Sequence, residues 1–141
     1  MYIYCIEEIF IETAWYEQIG VKMSQPWHDL AEKTLGTDDT IERTYSCRFN
    51  QQNGYLCLGR KKMVFVSVKG FLRKSYEVLL DFDYDELEEV NLVGRFKIEM
   101  LHKGKKLLFE TSDISARVVV SGLEDVIKSS PLNPKVLISG L

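Results

Sequence analysis

Few residues of this chain have the types and spacing that catalysis requires. It has two histidines, His28 and His102, and neither stands where a nucleophile and an acid would complete a catalytic triad. His28 falls in a short predicted helix, and His102 lies beside a Lys-Gly turn, where we expect it to be solvated. The sequence contains neither the P-loop motif GxxxxGK[ST] nor the dinucleotide-binding motif GxGxxG. We therefore predict that the protein is not an enzyme and has no catalytic residues.

The three cysteines do not predict a metal site either. Cys5, Cys47 and Cys57 form no CxxC pair and have no histidine at ligand spacing. An odd number of cysteines in a chain without a secretion signal favours reduced thiols in a cytoplasmic protein.

An acidic run from Asp81 to Glu89 is the other candidate for cation binding. Its first three aspartates are spaced like the start of an EF-hand loop. However, Glu86 stands where that loop needs glycine, and Leu92 stands where it needs a glutamate ligand. We interpret the run as a solvated acidic turn, with a weak ion site or a basic partner as the alternative. We predict no metal and no cofactor.

The 141 residues make one domain of ordinary soluble composition, with 45% hydrophobic and 28% charged residues. No apolar run reaches the roughly 18 residues that a membrane span needs, so we predict no transmembrane segment. The apolar N-terminus contains four glutamates, which a signal peptide does not tolerate. We expect a cytoplasmic protein that reaches a membrane only from its surface.

Charge is segregated along the chain, and this is the strongest indication of function. The net charge is −3, yet residues 59–75 contain six basic and no acidic residues, and residues 76–89 contain seven acidic and no basic ones. A second basic group lies within residues 95–106, where Glu99 is the only acidic residue. A chain that is acidic overall can therefore present a basic rim and an acidic rim.

One loop places two apolar residues, Phe71 and Leu72, between the cations Lys69, Arg73 and Lys74. Apolar side chains flanked by cations suit the surface of an anionic bilayer, where each cation contributes roughly 1 kcal/mol. We predict a reversible contact with anionic lipid at this loop. The alternatives are that Phe71 and Leu72 fold back onto the core while the cations are solvated, or that the loop contacts a protein.

The turn formed by Arg60, Lys61 and Lys62 is the second candidate anion site. Backbone N–H groups and cations converge in such a turn, so it suits a lipid headgroup or a phosphate; the alternative is an ordinary solvated turn. We do not expect nucleic acid as the partner, because most aromatic residues fall on the inward-facing phase of the predicted strands.

Hydrophobic periodicity predicts the elements that position these loops. The period changes from two to that of a helix near residue 112, and this predicts an amphipathic helix from Ile114 to Lys128, capped by Ser112 or Asp113. A short helix is predicted from Ser24 to Gly36. Alternation predicts strands at residues 43–49, 55–58, 63–68, 76–83, 90–93, 95–100 and 106–111.

This order of elements predicts a mainly β fold. Six or seven short strands followed by a helix suit a strongly bent sheet or an open barrel that the helix plugs at one end. In the sixth strand, Phe96, Ile98 and Met100 share the inward face. Residues 1–22 are too apolar to stay in water, so they cover the barrel or pair with a second copy as a homo-oligomer.

The chain resembles pleckstrin-homology-like domains of the GRAM and bacterial PH-like type. The resemblance lies in the segment GYLCLGRKKMVFVS at 54–67, in the acidic step at 85–90, in the strand pair around 102–105, and in the closing helix. It covers residues 40–130. Gly59 departs from the pattern, because the family often has threonine before this turn.

The resemblance implies a PH-like bent β-barrel of six or seven antiparallel strands, capped by a C-terminal α-helix, at residues 41–130. Residues 1–40 are then a partly helical N-terminal extension, and residues 131–141 a C-terminal tail. Members of the family commonly bind phosphoinositides or other membrane lipids, and many others bind proteins.

We therefore predict a non-enzymatic binding module that docks on anionic membrane lipid. The alternative is a protein-interaction or scaffolding module that uses the barrel edge or the N-terminal extension. The predicted lipid- or anion-binding residues are Arg60, Lys61, Lys62, Lys69, Phe71, Leu72, Arg73 and Lys74.

Overall fold

The computed structural model describes residues 3–5 and 25–141, with only the backbone described at 3–5. The predicted role of residues 1–22 therefore lies almost entirely outside the described residues. The elements are β1 (Ile3–Cys5), α1 (Pro26–Leu35), β2 (Arg43–Phe49), β3 (Gln52–Leu58), β4 (Lys62–Lys69), β5 (Arg73–Asp83), a 3-10 turn (Tyr84–Glu86), β6 (Leu87–Gly94), β7 (Lys97–His102), β8 (Lys105–Glu110), α2 (Ala116–Ser129) and β9 (Leu137–Ser139).

The described strands form one sheet in the order β1-β5-β4-β3-β2-β8-β7-β6-β9. Neighbouring strands are antiparallel except β6 and β9, which are parallel. Strands β2 to β8 correspond to the seven predicted strands, whereas β1 and β9 are additions of three residues each. The mainly β class with a C-terminal helix is therefore confirmed, but the strand count exceeds the predicted six or seven and the described sheet does not close.

The sheet bends over on itself around one apolar core. Phe65 of β4 and Phe109 of β8 have ring centroids 6.1 Å apart. In a flat sheet, three strand spacings would separate β4 from β8 by roughly 14 Å. Phe49 of β2 contacts both rings. The inner faces of the two halves of the sheet therefore share a single core, and α2 packs against it.

Helix α2 begins at Ala116, two residues later than predicted. Its N-cap residue is Ser115, in place of Ser112 or Asp113. The turn between β6 and β7 satisfies the first amide of the helix, because the Ala116 N–H donates to the carbonyl of Arg95 at 2.8 Å. The predicted apolar stripe is confirmed as the buried side, which consists of Ala116, Val119, Val120, Gly122, Leu123, Val126 and Ile127.

Helix α1 confirms the predicted short helix and packs on the outer face of the sheet. Pro26 lies in its first turn and Gly36 ends it. The start predicted at Ser24 lies outside the described residues, and Gln25 occupies the N-cap position.

The outer face of the sheet is covered where α1 crosses β4 and β5. Ala31 and Leu35 pack with Val64 and Val66 of β4, and Trp27 stacks on a ring of β3 with centroids 4.1 Å apart. Strand β4 is therefore buried on both faces. Burial on both faces explains why residues 63–66 form a continuous apolar run instead of alternating with polar residues.

The C-terminal tail also joins the sheet, since β9 pairs with residues 89–91 of β6. Of the two helices that the structure describes, neither combines the length and the apolarity that crossing a membrane requires.

Candidate functional site

The two predicted basic segments lie at opposite ends of strand β4. Lys62 is the first residue of that strand and Lys69 is the last. Seven residue steps along a strand span roughly 24 Å. The structure therefore does not bring the turn 60–62 and the loop 69–74 onto one surface, and the prediction that both belong to one docking rim is corrected.

The turn 60–62 holds an anion, but that anion belongs to the protein itself. The buried carboxylate of Asp39 accepts the backbone N–H of Arg60 at 2.7 Å and that of Lys61 at 3.0 Å. It also accepts the N–H of Thr40 at 2.7 Å. Backbone N–H groups converge there as the sequence indicated, but their acceptor is a carboxylate about twenty residues earlier in the chain, so the turn is not open to an external headgroup.

Gly59 and Tyr84 fix the geometry of this turn. A Cβ at position 59 would lie 2.7 Å from a carboxylate oxygen of Asp39, so only glycine lets the carboxylate approach this closely. The Tyr84 hydroxyl donates to the carbonyl of Gly59 at 2.6 Å, and burial raises the pKa of that hydroxyl. The internal carboxylate therefore explains why glycine stands at position 59.

The lysine side chains of this turn are neutralised by neighbouring acids. Lys61 lies 3.3 Å from Asp38, and Lys62 lies 2.7 Å from Asp81. Hydrogen bonds from its own backbone and from Lys61 lower the pKa of Asp38. Arg60 is exposed, but the cleft of about 410 Å³ that it lines also contains two carboxylates. This end of the sheet therefore offers no concentrated positive charge.

The loop 69–74, hereafter the β4–β5 tip, projects into solvent. Phe71 is 85% exposed and Leu72 is 67% exposed, so the alternative that these side chains fold back onto the core is wrong. Lys69 lies 3.8 Å from Glu77. Arg73 and Lys74 have no ion-pair partner among the residues that the structure describes.

A second exposed tip lies between β6 and β7, at residues 93–97, hereafter the β6–β7 tip. Val93 is 50% exposed and Phe96 is 40% exposed, and the side chains of Arg95 and Lys97 are exposed beside them. The prediction that Phe96 faces inward is wrong, because β7 begins at Lys97 and the two residues before it form a turn. The Gly-Arg-Phe sequence before this strand was the available signal of a turn.

The two tips leave the sheet in opposite directions. Lys97 and Arg48 both pair with Glu110, and the next pair between β2 and β8 is Phe49 with Phe109. The β2–β3 turn at residues 50–51 follows Phe49, whereas the β6–β7 tip precedes Lys97, so the two extend past opposite sides of this row. The β4–β5 tip lies on the side of the β2–β3 turn, because β2, β3 and β4 form one antiparallel meander. We call the end of the sheet with the β2–β3 turn and the β4–β5 tip the hairpin end.

The hairpin end is basic, whereas the opposite end of strands β2 to β5, with the turns at 59–61 and 84–86, carries the acidic run and is here called the acidic end. Within the described part of the chain, Lys69 is the one cation of the hairpin end that forms an ion pair, with Glu77. Glu110 is the acidic residue that pairs with Arg48 in the ladder. The cations of the hairpin end are Arg48, Lys69, Arg73 and Lys74.

The cysteines and histidines do not assemble a reactive centre in the described residues. Cys47 and Cys57 are free and buried, and burial raises the pKa of each thiol to about 12. His102 stacks on Phe82 and lies 3.1 Å from Glu86, and this hydrogen bond lowers the pKa of Glu86.

His28, which lies in the predicted short helix, is half-buried. Its Nδ1 atom lies 2.6 Å from Glu32 on the next turn of α1. With Asp29 these two side chains bring three ligand-type atoms within 4.8 Å of one another. All three side chains lie on one partly exposed face of α1, and the described part of the chain adds no fourth ligand there.

No protein-family model matches the sequence, and a search of curated proteins finds no match either. Solved structures do match in fold. A C-terminal domain of an unknown protein from Leishmania infantum is 16% identical with a TM-score of 0.50, over 84% of this chain and 99% of that one. The hSac2 domain of the human phosphoinositide phosphatase Sac2 is 10% identical with a TM-score of 0.52, over 84% of this chain and 93% of that one. At these identities the similarity shows a shared fold alone.

Proposed function

We propose that this protein is a non-enzymatic binding module of the PH-like class, and that it docks on anionic membrane lipid through the β4–β5 tip. The observation that carries the proposal is the exposure of Phe71 and Leu72 beside Arg73 and Lys74, which form no ion pair with any residue that the structure describes. Arg60, Lys61 and Lys62 are not part of this surface, because their turn is occupied by Asp39 and lies at the acidic end.

The arrangement of strands supports the PH-like class. Strands β2 to β5 form one antiparallel meander, and β6 to β8 form a second, joined to the first by the pairing of β2 with β8. Both meanders share one core, and the helix that follows them packs against it. A bent sheet with a helix packed on its core is the arrangement expected of a PH-like module, and this supports the proposal.

The energetics favour reversible docking. Transferring an exposed Phe or Leu side chain out of water yields about 1.5–3 kcal/mol each. Each cation near an anionic surface adds about 1 kcal/mol. Association costs several kcal/mol of lost motional freedom, so these contributions leave a weak, salt-sensitive affinity instead of stable anchoring.

Co-sedimentation with vesicles tests this proposal. The full chain is mixed with vesicles of phosphatidylcholine alone or with added phosphatidylserine, at low and at high salt. We expect binding only to the anionic vesicles and release by salt. The double variant Phe71→Ser with Leu72→Ser should lose more than about tenfold in affinity.

The matched control for the apolar pair is Leu137→Ser on β9, because Leu137 is 64% exposed but does not belong to the β4–β5 tip. This control should bind like the unmodified protein. Binding that ignores both lipid charge and salt, or that survives loss of Phe71 and Leu72, rules the proposal out.

The open edge of the sheet favours a second candidate function, protein interaction. In the described residues β9 pairs only with β6, so its outer edge offers backbone N–H and C=O groups to a strand from a partner protein. Helix α1 is less suited to this role, because its apolar face already packs on β4 and β5. This function would be favoured if the unmodified chain captures a partner protein in a pull-down and the Leu137→Pro variant does not. The unmodified chain should then also fail to bind vesicles.

A further inference from the structure

The β6–β7 tip, which leaves the sheet in the opposite direction from the β4–β5 tip, borders a basic cleft. The cleft has a volume of about 480 Å³ and lies between this tip and the first turn of α2. Its lining combines apolar, small and basic residues and contains no acidic residue. The lining residues of this cleft, hereafter the tip–helix cleft, are Leu92, Val93, Gly94, Arg95, Ser115 and Arg117.

The two arginines of the tip–helix cleft have no anionic partner in the part of the chain that the structure describes. Both side chains are exposed, and neither Arg95 nor Arg117 forms an ion pair or a side-chain hydrogen bond with a described residue. Among the acids close to them in sequence, Glu99 is ion-paired on β7, and Glu110 and Asp113 do not line the cleft. The two guanidinium groups are therefore available to an external anion.

Apolar side chains are exposed beside these arginines. Val93 in the lining is 50% exposed, Phe96 in the tip is 40% exposed, and Val118 on α2 is 52% exposed. The Arg95 guanidinium lies 5.3 Å from the centroid of the Phe96 ring, so charge and apolar surface are presented together. Protein-interaction surfaces are enriched in arginine and aromatic side chains, so this combination favours a protein partner.

The backbone of the β6–β7 tip is held in place from two sides. The Thr111 N–H donates to the carbonyl of Phe96 at 2.9 Å, and the Ala116 N–H donates to that of Arg95 at 2.8 Å. The tip is therefore fixed against the start of α2 and the segment before it. A preorganised surface loses little conformational entropy on binding, which favours its use as a docking site.

We propose that the tip–helix cleft is a docking site for an acidic, extended segment of a partner protein. The argument is charge complementarity, because guanidinium groups bind carboxylates through paired hydrogen bonds. In an extended segment, side chains two positions apart lie on the same face at about 7 Å. A segment with Asp or Glu near an apolar residue can therefore contact the two arginines and Val93 together. The inference does not rest on the proposed function, because the β4–β5 tip contributes no residue to this cleft.

The first experiment uses an array of immobilised synthetic peptides incubated with the labelled full chain. Each peptide carries Asp and Glu residues on both sides of two variable positions, which together run through all amino acids. A second array has Lys in place of every Asp and Glu. We expect binding to acidic peptides that have an apolar residue at a variable position, and release of these peptides by salt. Fluorescence anisotropy then gives the affinity for the peptide that binds best.

The second experiment measures variants of the full chain with that peptide. Arg95→Gln and Arg117→Gln each remove a cation, and Val93→Ser removes apolar surface; we expect each to weaken binding by roughly threefold or more. The matched controls lie on β8 outside the cleft. They are Lys105→Gln, which removes an exposed cation, and Leu108→Ser, since Leu108 is 45% exposed. Circular dichroism and thermal unfolding verify that each variant is folded.

Weaker binding of the three cleft variants, with both controls unchanged, supports the docking site. The inference is wrong if no acidic peptide binds, if the lysine peptides bind equally well, or if the cleft variants bind like their controls. It is also wrong if inorganic phosphate binds as tightly as the best peptide, because the apolar residues would then contribute nothing.

Should Arg95→Gln disturb the tip, Arg117→Gln decides, because a cation in the first turn of a helix is unfavourable and its removal should leave α2 folded. Failure of the unmodified chain to bind anionic vesicles would remove the proposed function and leave this inference unaffected.

Discussion

The carboxylate of Asp39 determines whether the turn at residues 60–62 is available to an external anion. It accepts three backbone N–H groups and is buried against Gly59. Such an internal carboxylate satisfies donors that would otherwise attract phosphate or a lipid headgroup. The turn is therefore a structural element that joins the loop before β2 to the β3–β4 connection, and its basic sequence does not indicate a binding site.

Replacing Asp39 should both destabilise the fold and open the turn. Asp39→Ala leaves three N–H groups without their acceptor, so we expect the free energy of unfolding in urea to fall by roughly 2–4 kcal/mol. Inorganic phosphate should then stabilise the variant more than the unmodified protein, because an anion can occupy the vacated position.

Asp38→Ala is the matched control for this prediction, because Asp38 is exposed and its contact with Lys61 is a surface ion pair. It should unfold almost like the unmodified protein and gain nothing specific from phosphate. An Asp39→Ala variant that is equally stable, or that responds to phosphate no more than Asp38→Ala, contradicts the assigned role of Asp39.

At the scale of elements, the close approach of α2 to β2 depends on Gly122. A Cβ at this position would overlap the hydroxyl of Tyr45. Glycine normally weakens a helix by about 1 kcal/mol relative to alanine, so its presence in the middle of α2 has a packing reason. Arg43, two residues before Tyr45, also reaches Asp125 on the same helix at 3.3 Å. Helix and strand are thus joined at adjacent points.

Gly122→Ala should therefore lower the stability in spite of the better helix propensity. We expect a net loss of roughly 1–3 kcal/mol in the free energy of unfolding, because α2 must move away from β2. Adding Tyr45→Phe removes the overlapping hydroxyl and should recover part of the loss, which a double-mutant cycle measures as a coupling energy. A stabilised Gly122→Ala variant, or strictly additive effects, would show that the helix is not held this closely.

Periodicity predicted those elements whose faces differ in burial. Strands such as β2 and β7 have one face on the core and one in solvent, so alternation located them. Strands β1 and β9 were missed because three residues are too few to show a period. The start of α2 was placed too early because the acceptor of its first amide is the carbonyl of Arg95, about twenty residues before it, and not a local cap.

The candidate site was also predictable only where the local sequence determines whether a side chain is exposed. The β4–β5 tip followed from composition alone, since Phe71 and Leu72 belong to no periodic segment. Phe96 was placed inward because it matches the alternation of β7, and only the observed turn takes it out of the strand. No local pattern could show that Asp39 fills the turn 60–62, because the contact joins residues distant in sequence.

At the scale of the whole molecule, the net charge of −3 does not reveal that basic and acidic residues are separated between the two ends of the strands. Lysines of the acidic end pair with neighbouring carboxylates, as Lys62 does with Asp81 and Lys61 with Asp38. Of the cations of the hairpin end, Arg48, Arg73 and Lys74 form no ion pair with the residues that the structure describes. Electrostatic screening acts over about 8 Å at physiological salt, so a surface that approaches one end senses little of the other.

This distribution predicts that local charge, and not net charge, controls docking. Asp83→Asn with Asp85→Asn changes the net charge from −3 to −1, but it acts at the acidic end, roughly 30 Å along β5 from the β4–β5 tip. Arg73→Gln with Lys74→Gln changes it from −3 to −5 within the tip itself. At physiological salt we expect the first pair to alter the affinity for anionic vesicles by less than about twofold. The second pair should weaken it by roughly tenfold or more.

Measurements at lower salt further distinguish control of docking by local charge from control by net charge. As the screening length grows to about 30 Å, the acidic end begins to repel the anionic surface, so the aspartate variant should gain affinity only under those conditions. If the aspartate variant instead strengthens binding at physiological salt as much as the tip variant weakens it, net charge controls the association. The polarity of the sheet would then have no part in orienting the domain on a membrane.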